Sequence, residues 1–246
     1  MIILIVLTIA MFASWLLIPH KLTRYILGSI TTLLFIGLII GIVLNMTHHF
    51  GMEKTTVNEP EKQIYSAGSD KSPTNMLIAN EIGNNSYNYV MVYKDKQSDD
   101  KPSAHFKPST NKEDVSDSVK KVAYYETSNV NKATVKTKKE YWTWKNDYYR
   151  YLFDYGKEDK ELIKQTSVVT VPSDTWVVLD AKEAKKLQKQ QRSMSSKSQD
   201  KMKEALQKKM ISYKKEHPKA SEKEMKDYLN TEKQRLATQQ IKEMLK

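Results

Sequence analysis

The chain has 246 residues, a formal net charge of +11 and no cysteine. The lack of cysteine excludes a disulfide scaffold, a thiolate nucleophile, a cysteine-based zinc site and a lipidated cysteine anchor. The mean hydropathy of −0.62 hides a strong asymmetry, because residues 1–45 are almost entirely apolar and the remainder is polar. The length allows one medium-sized domain with additional segments.

Two uncharged apolar runs open the chain, at residues 2–18 and 25–44. As helices they would span roughly 26 and 30 Å, close to the ~30 Å hydrocarbon core of a bilayer. A cleaved signal peptide is the alternative for the first run, but no Lys or Arg precedes it and no A-x-A cleavage site follows it. The sequence therefore predicts a transmembrane helical hairpin over residues 1–46, with its loop at residues 19–24.

The orientation of this hairpin follows from the charges beside it. Lys21 and Arg24 are the fixed charges in the predicted loop, and the positive-inside rule places such a loop in the cytoplasm. The chain after residue 46 is then extracytoplasmic. We therefore expect a two-pass protein of the cell membrane whose C-terminal domain faces outward.

Gly37 and Gly41 are spaced by one helical turn in the second run, in a GxxxG pattern. Two such glycines let another helix approach closely in lipid, where packing drives association. The pattern has two interpretations: packing against the first helix of the same chain, or contact with a second copy or a partner membrane protein.

The polar part of the chain is predicted to be β-rich. Residues 47–75 carry proline and glycine and predict a juxtamembrane linker. Residues 76–180 contain roughly six to eight short segments of β-branched and aromatic residues separated by turn signals, including an aromatic alternation over residues 149–155. The predicted fold is a membrane-anchored α+β chain, with a small antiparallel all-β domain, a sandwich or open barrel, between the hairpin and basic C-terminal helices.

The excess positive charge lies in the C-terminal tail. Residues 50–180 hold 19 basic and 20 acidic side chains, whereas residues 181–246 hold 19 basic and 9 acidic ones. This Lys-rich tail has a helical pattern with thin apolar faces, so it either packs on the β domain or binds a partner or lipid. Its charge attracts polyanions, which outside the membrane are anionic lipids or wall polymers rather than nucleic acid.

Three tryptophans form a candidate binding face. Trp142 and Trp144 share one face of a predicted strand over residues 133–144, and Trp176 begins the last strand. Exposed rings stack on sugars and would make a carbohydrate-binding surface, whereas buried rings would be the core and cross-strand pairs of a small sheet. The exposure of the three rings distinguishes the two interpretations.

Recognised catalytic patterns are absent from the sequence: it has no G-x-S-x-G, H-E-x-x-H, P-loop or G-x-G-x-x-G motif. His48 and His49 follow the second apolar run directly, but adjacent histidines chelate poorly and no nearby cysteine completes a site. We therefore predict no catalytic residue, no cofactor and no metal site, and we do not expect an enzyme.

Several of these segments carry a family resemblance. The paired apolar runs and the segments 49–52, 142–147 and 151–153 resemble a family of two-helix membrane proteins from lactic-acid bacteria, known as domain of unknown function 4811. The likeness covers nearly the whole chain and implies this architecture in a Gram-positive cell envelope. The family has no established activity, so the resemblance implies no catalytic residues. Its members resemble accessory proteins encoded near drug-efflux transporters, which implies a membrane transporter as a partner.

The predicted function is thus a non-enzymatic, membrane-anchored accessory or protein-interaction module of the cell envelope. Its expected partners are the lipid bilayer and either another membrane protein, such as a transporter, or a second copy of the chain in a homo-oligomer. The alternative is an envelope-polymer or carbohydrate-binding module that uses the aromatic strand face and the basic tail.

Overall fold

The computed structural model describes residues 2–69, 72–109, 115–154, 159–192 and 196–245. The helices are α1 Ile2–Leu16, α2 Lys21–His48, α3 Val115–Val119, α4 Asp147–Phe153, α5 Ala181–Arg192, α6 Ser196–Glu216 and α7 Glu222–Leu245. The strands are β1 Met52–Asn58, β2 Lys62–Gln63, β3 Asn75–Glu81, β4 Tyr89–Tyr93, β5 Ser103–His105, β6 Lys121–Ser128, β7 Thr134–Trp144, β8 Lys160–Pro172 and β9 Trp176–Leu179. The chain divides into two compact units, Met1–Val57 with Lys139–Lys164, and Asn58–Lys138 with Gln165–Lys246.

The first unit contains the two apolar helices, which lie side by side. The hydroxyls of Ser14 and Thr31 are hydrogen-bonded at 3.0 Å, and the Trp15 indole N–H donates to Thr32 Oγ1 at 3.1 Å. The helices approach closely at Gly28, where an added Cβ would lie 2.6 Å from the Trp15 ring. Of these two helices, α2 is long and apolar enough to cross a membrane, whereas α1 is apolar but has only 15 residues.

The connection between these helices is shorter than predicted. Helix α2 begins at Lys21, so Lys21 and Arg24 lie in its first turn and not in a loop at residues 19–24. The cause is local: Pro19 cannot continue α1, whereas Lys and Arg are good helix formers. At its other end α2 continues to His48, four residues beyond the predicted boundary.

Two segments of the first unit differ from the predicted secondary structure. The predicted linker contains strand β1, where the hydroxyls of Thr55 and Thr143 are hydrogen-bonded at 2.7 Å. The predicted aromatic strand over residues 149–155 is instead helix α4, and Tyr155 lies outside the described residues. Asn146 caps α4 by accepting the Tyr149 backbone N–H at 3.3 Å, a local signal that favours a helix start.

The strands form two mixed sheets. One has the order β1-β7-β8-β6, with β2 beside β7, and the other has the order β5-β4-β3-β9. The predicted hairpin of β3 and β4 is antiparallel, with Ile78 opposite Val92. However, β3 pairs with β9 in parallel and β6 pairs with β8 in parallel, so the expectation of a purely antiparallel all-β domain was wrong. Parallel strands are joined by long crossover connections. The residue types that mark short turns do not predict such connections.

The second unit buries its core between residues of both sheets. Its fully or nearly buried apolar side chains are Ile64, Leu77, Ala79, Met91, Tyr93, Ala123, Ala133, Val169, Val171 and Trp176. A second cluster joins the end of β9 to the tail, because Val177 and Leu179 pack with Leu187 of α5 and Ile241 of α7. The C-terminal helices α5 and α7 are therefore packed on the sheet of their own unit.

Polar contacts reinforce this docking of α7. Arg235 donates to Asp174 in the β8–β9 turn at 2.7 Å and to the buried Glu232 at 2.8 Å. These hydrogen bonds, first to Glu232 and then to Asp174, raise the pKa of the Arg235 guanidinium. Lys209 of α6 approaches Glu232 at 3.2 Å, so the buried carboxylate is paired from both helices, as burial of a charge requires.

Candidate functional site

Helix α2 ends in a tight turn whose backbone is satisfied locally. His49 adopts a left-handed conformation with φ 52°, and its N–H donates to Asn45 O at 2.9 Å. The Phe50 N–H donates to Leu44 O at 3.3 Å, and the buried Asn45 side chain donates to Phe50 O at 2.8 Å. A left-handed residue is a common way to end a helix, and here it sets the direction in which the chain leaves α2.

Five rings collect around this turn: His49, Phe50, Trp142, Tyr149 and Phe153, which we call the exit cluster. The imidazole of His49 is stacked on Trp142, with centroids 4.4 Å apart and planes 12° apart. Phe50 meets Tyr149 and Phe153 edge-on, at 5.6 and 6.1 Å. Such aromatic pairs stabilise by about 0.5–1.5 kcal/mol each beyond their buried area. The cluster therefore ties the end of α2 to β7 and α4 within the first unit.

Two glycines make room for these rings. A Cβ at Gly41 would lie 2.9 Å from Cε1 and Cζ of Phe153, and a Cβ at Gly51 would lie 2.6 Å from the Tyr149 ring. Gly51 also has a φ of +86°, which favours glycine over other residues. Two of the four aromatic side chains of α4, Tyr149 and Phe153, therefore lie directly on glycine backbone.

The predicted GxxxG pair divides into two different environments. Gly41 receives Phe153, whereas a Cβ built at Gly37 would meet no described atom within 4 Å apart from the adjacent backbone of α2 itself. The close approach between α1 and α2 occurs at Gly28 instead. Packing of the GxxxG pair against α1 is therefore not what the structure has, because Gly41 contacts α4 and Gly37 faces open space.

Charged groups surround the stacked His49 and Trp142 pair. His49 Nε2 lies 3.5 Å from Glu161 Oε2, and Lys54 Nζ lies 5.2 Å from the centroid of Trp142. A cation at this distance from an indole is attracted by its π-system. The Trp142 ring is thus engaged by both an imidazole and an ammonium of its own unit, which reduces the ring surface open to a ligand.

The other two candidate tryptophans are placed differently. Trp144 is half-buried, and its indole N–H is buried without a hydrogen-bond partner among the described residues. Trp176 is only 5% exposed and belongs to the core of the second unit. The ring of Trp176 is therefore unavailable to a ligand, because it is buried in the core. Trp176 is not part of an aromatic binding face, contrary to the prediction.

The second unit has a cleft of about 370 Å³ with acidic and tyrosine walls. Its polar lining residues are Asn80, Glu81, Tyr89, Tyr125, Asp180 and Glu183. The Asp180 carboxylate accepts backbone N–H groups of α5, and the Glu81 carboxylate accepts those of the β3–β4 turn. These carboxylates thus serve as caps, and within the described ranges no three His, Asp or Glu side chains are grouped to hold a metal ion.

A family model matches residues 20–187 of the chain, which is more than half of its length. The chain belongs to the family described as domain of unknown function (DUF4811). The DUF4811 region starts beside α2 and ends within α5, so it includes the exit cluster and both sheets and leaves α1, α6 and α7 outside. The comparisons with curated proteins and with solved structures returned no match.

The exit cluster brings together widely separated segments of the DUF4811 region. Residues 49–52, 142–147 and 151–153, which carry the family resemblance, meet at the end of α2. The sequence placed Tyr149 and Phe153 in a predicted strand and therefore did not indicate the contact of Tyr149 with Gly51 or that of Phe153 with Gly41. The available signal was the i, i+4 spacing of Tyr149 and Phe153 after Asn146, which is a helical spacing behind a capping residue.

Proposed function

We propose that this DUF4811 protein is a membrane-anchored, non-enzymatic accessory module of the cell envelope. The observation that carries the proposal is the exposure of the apolar helices, since only 11% of the apolar window of α2 is buried. Large apolar side chains are exposed along both helices, among them Ile2, Ile5, Ile9, Phe12, Leu16, Ile26, Leu33, Leu34, Ile40 and Met46. Water tolerates such a contiguous surface poorly, whereas a bilayer satisfies it.

The proposal includes a two-pass arrangement in which α1 and α2 form a membrane hairpin. Hydrogen bonds of Ser14 and Trp15 to α2 support it, because polar side chains and small residues hold helices together in lipid. Helix α1 would extend about 22 Å, and a bilayer adapts to a short span by local thinning. Lys21 and Arg24 at the start of α2 favour a cytoplasmic connection and an extracytoplasmic remainder.

The accessory role is supported by how the chain leaves the helix. The exit cluster joins α2 to α4 and β7 through stacked rings and two glycines, so the end of the helix is held against the folded part of the first unit. The open flank of α2 at Gly37 suits contact with a helix of another membrane protein, such as a transporter, or of a second copy. The net charge of +10 in the tail favours anionic lipids or wall polymers as additional, salt-sensitive contacts.

The carbohydrate-binding alternative has less support. Trp176 is buried in a core, and Trp142 is stacked on His49 and approached by Lys54. Sugar recognition needs an open aromatic platform, and the remaining half-buried Trp144 provides little of one. The interaction module is therefore the function that the geometry supports best.

Affinity capture of the tagged full chain from native membranes tests the proposal. We expect the chain to stay in the membrane pellet after an alkaline carbonate wash and to co-purify in detergent with a transporter or a second copy at a defined stoichiometry. Gly37→Leu should reduce that co-purification, because it fills the open flank of α2. Release of the chain by carbonate, or recovery as a lone monomer under mild detergents, would contradict the proposal.

A further inference from the structure

Helix α4 has two faces of different character. Tyr149 and Phe153 point to the turn after α2, where Phe153 is only 4% exposed. Tyr148 and Tyr151 are 81% and 70% exposed, and their spacing of three residues places them side by side on the helix. At 100° per residue the two faces are roughly 150° apart. The exposed face is thus a pair of large aromatic rings without a partner among the described residues.

The level of α4 along α2 follows from the contact of Phe153 with Gly41. Tyr25 is the first residue after the charge of Arg24, and Gly41 lies 16 residues further along the helix. This separation corresponds to about 24 Å, which is less than the ~30 Å of a hydrocarbon core. If α2 crosses a bilayer from Tyr25, the buried end of α4 is at the level of the outer part of that core.

The surroundings of α4 are apolar as well. The last turns of α2 expose Val43 and Met46 at 52% and 72%, and Phe50 is 46% exposed beside Phe153. These side chains continue the exposed apolar surface of α2 up to the buried face of α4. An apolar surface that ends in tyrosines is typical of the membrane–water interface, where the ring lies among acyl chains and the hydroxyl reaches the headgroups.

The basic side chain of α4, Arg150, is paired with carboxylates that follow the helix. Arg150 forms an ion pair with Asp159 at 2.6 Å and another with Asp154 at 3.9 Å. The helix therefore offers no free cation to attract anionic headgroups, and its binding to a membrane should depend on ring burial. This distinguishes α4 from the basic tail, whose binding should depend on salt.

We infer that α4 is an interfacial anchor whose exposed face, Tyr148 and Tyr151, inserts among the lipid headgroups where α2 leaves the bilayer. The inference rests on the proposed membrane anchoring and adds a second contact with lipid, made by the folded part of the first unit. Such a contact would fix the tilt of α2 and the distance of β1 and β7 from the surface.

Site-directed spin labelling of the full chain in phosphatidylcholine vesicles tests this inference. The chain has no native cysteine, so Tyr148→Cys and Tyr151→Cys each give one labelled site, and both side chains are exposed enough to be replaced without loss of folding. Ile36→Cys, 47% exposed on α2, is the control for lipid, and Val57→Cys, 43% exposed at the end of β1, is the control for water.

The measurement is the accessibility of each nitroxide to oxygen, which concentrates in lipid, and to a water-soluble nickel complex. We expect oxygen-to-nickel ratios at positions 148 and 151 that are severalfold above that at 57 and below that at 36. Anionic lipid or high salt should leave these ratios unchanged, because Arg150 is already paired.

Two outcomes would overturn the inference. Ratios at 148 and 151 equal to that at 57 would mean that α4 faces water, and low accessibility to both reagents would mean that protein covers the tyrosines. In either case a lipid-like ratio at position 36 would leave the proposed anchoring intact. A water-like ratio at position 36 would instead contradict the anchoring itself, so the two failures are distinguishable.

Discussion

At the scale of single residues, aromatic rings of the first unit pack directly against the backbone of glycines. Gly28 lies under Trp15, Gly41 under Phe153 and Gly51 under Tyr149, with built Cβ distances of 2.6, 2.9 and 2.6 Å. Each contact lets a large ring lie on the backbone, which gains dispersion contacts that a side chain at the glycine would prevent. Gly37 lacks such a ring, so identical residues one turn apart have different roles.

The glycine arrangement predicts unequal effects of one substitution at two positions. Gly41→Leu should displace Phe153 and destabilise the full chain by about 1–3 kcal/mol, the usual cost of overpacking. Gly37→Leu, on the same helix and with the same added volume, should leave stability nearly unchanged because its surroundings are open. Thermal unfolding in detergent micelles, followed by near-UV circular dichroism, measures both. Equal losses of stability at the two positions would contradict the inference that Phe153 packs against the backbone of Gly41.

At the scale of elements, the C-terminal helices belong to the fold of the second unit. Helix α5 starts behind Asp180, which accepts the N–H groups of Lys182 and Glu183, and α7 starts behind the capping pair Ser221 and Glu224. Hydrogen bonds from the Ser221 backbone and hydroxyl lower the pKa of the Glu224 carboxyl. The narrow apolar stripes of α5 and α7 are sufficient for docking on the sheet, because each helix covers only part of it.

Docking of α7 predicts that only its inward apolar residues matter for stability. Ile241 is 3% exposed beside Leu179 and Leu187, so Ile241→Ala should destabilise the second unit by about 2–5 kcal/mol. Met244→Ala is the matched control, since Met244 is 37% exposed and surface truncations usually change stability by less than about 0.5 kcal/mol. Urea unfolding of the full chain reports both values. An unchanged midpoint for Ile241→Ala would show that α7 is not docked in solution.

At the scale of the whole molecule, charge is distributed by position along the chain. Lys21 and Arg24 stand at the start of α2, the run from Tyr25 to Met52 has no Asp, Glu, Lys or Arg, and the tail carries +10 of the net charge of +11. Short flanking segments set the orientation of membrane helices, whereas long translocated domains contribute little. The two charges near α2 should therefore outweigh the larger basic tail in setting topology.

Labelling of single cysteines in intact cells checks this topology. With a membrane-impermeant maleimide, Lys101→Cys should react in intact cells, whereas His20→Cys should react only after permeabilisation; both positions are exposed. Adding Lys21→Ala and Arg24→Ala should produce mixed orientation, seen as partial labelling at both positions. Labelling of His20→Cys alone in intact cells would mean that the chain is inverted and that its tail meets cytoplasmic partners.

Local patterns predicted most elements but not the way they associate. The β3–β4 hairpin, strands β6 to β9 and three tail helices follow from alternation, turns and caps, all of which depend on residues a few positions apart. The two-residue alternation over residues 149–155 wrongly predicted a strand. The four-residue spacing of aromatic residues after the capping Asn146 was the correct signal, since this segment forms helix α4. Local patterns also failed for the parallel pairs β3–β9 and β6–β8, whose partners are far apart in sequence.

The sequence by itself determined the apolar helices, the charge asymmetry, the β-rich middle and the family, because composition and short-range periodicity encode them. Only the tertiary structure decided which glycine receives which ring, that Trp176 is core and that α7 covers the sheet. Those outcomes depend on contacts such as His49 with Trp142 and Thr74 with Thr238, which join residues about 90 and 160 positions apart. Burial depends on such long-range contacts, and the local sequence around a residue does not encode them.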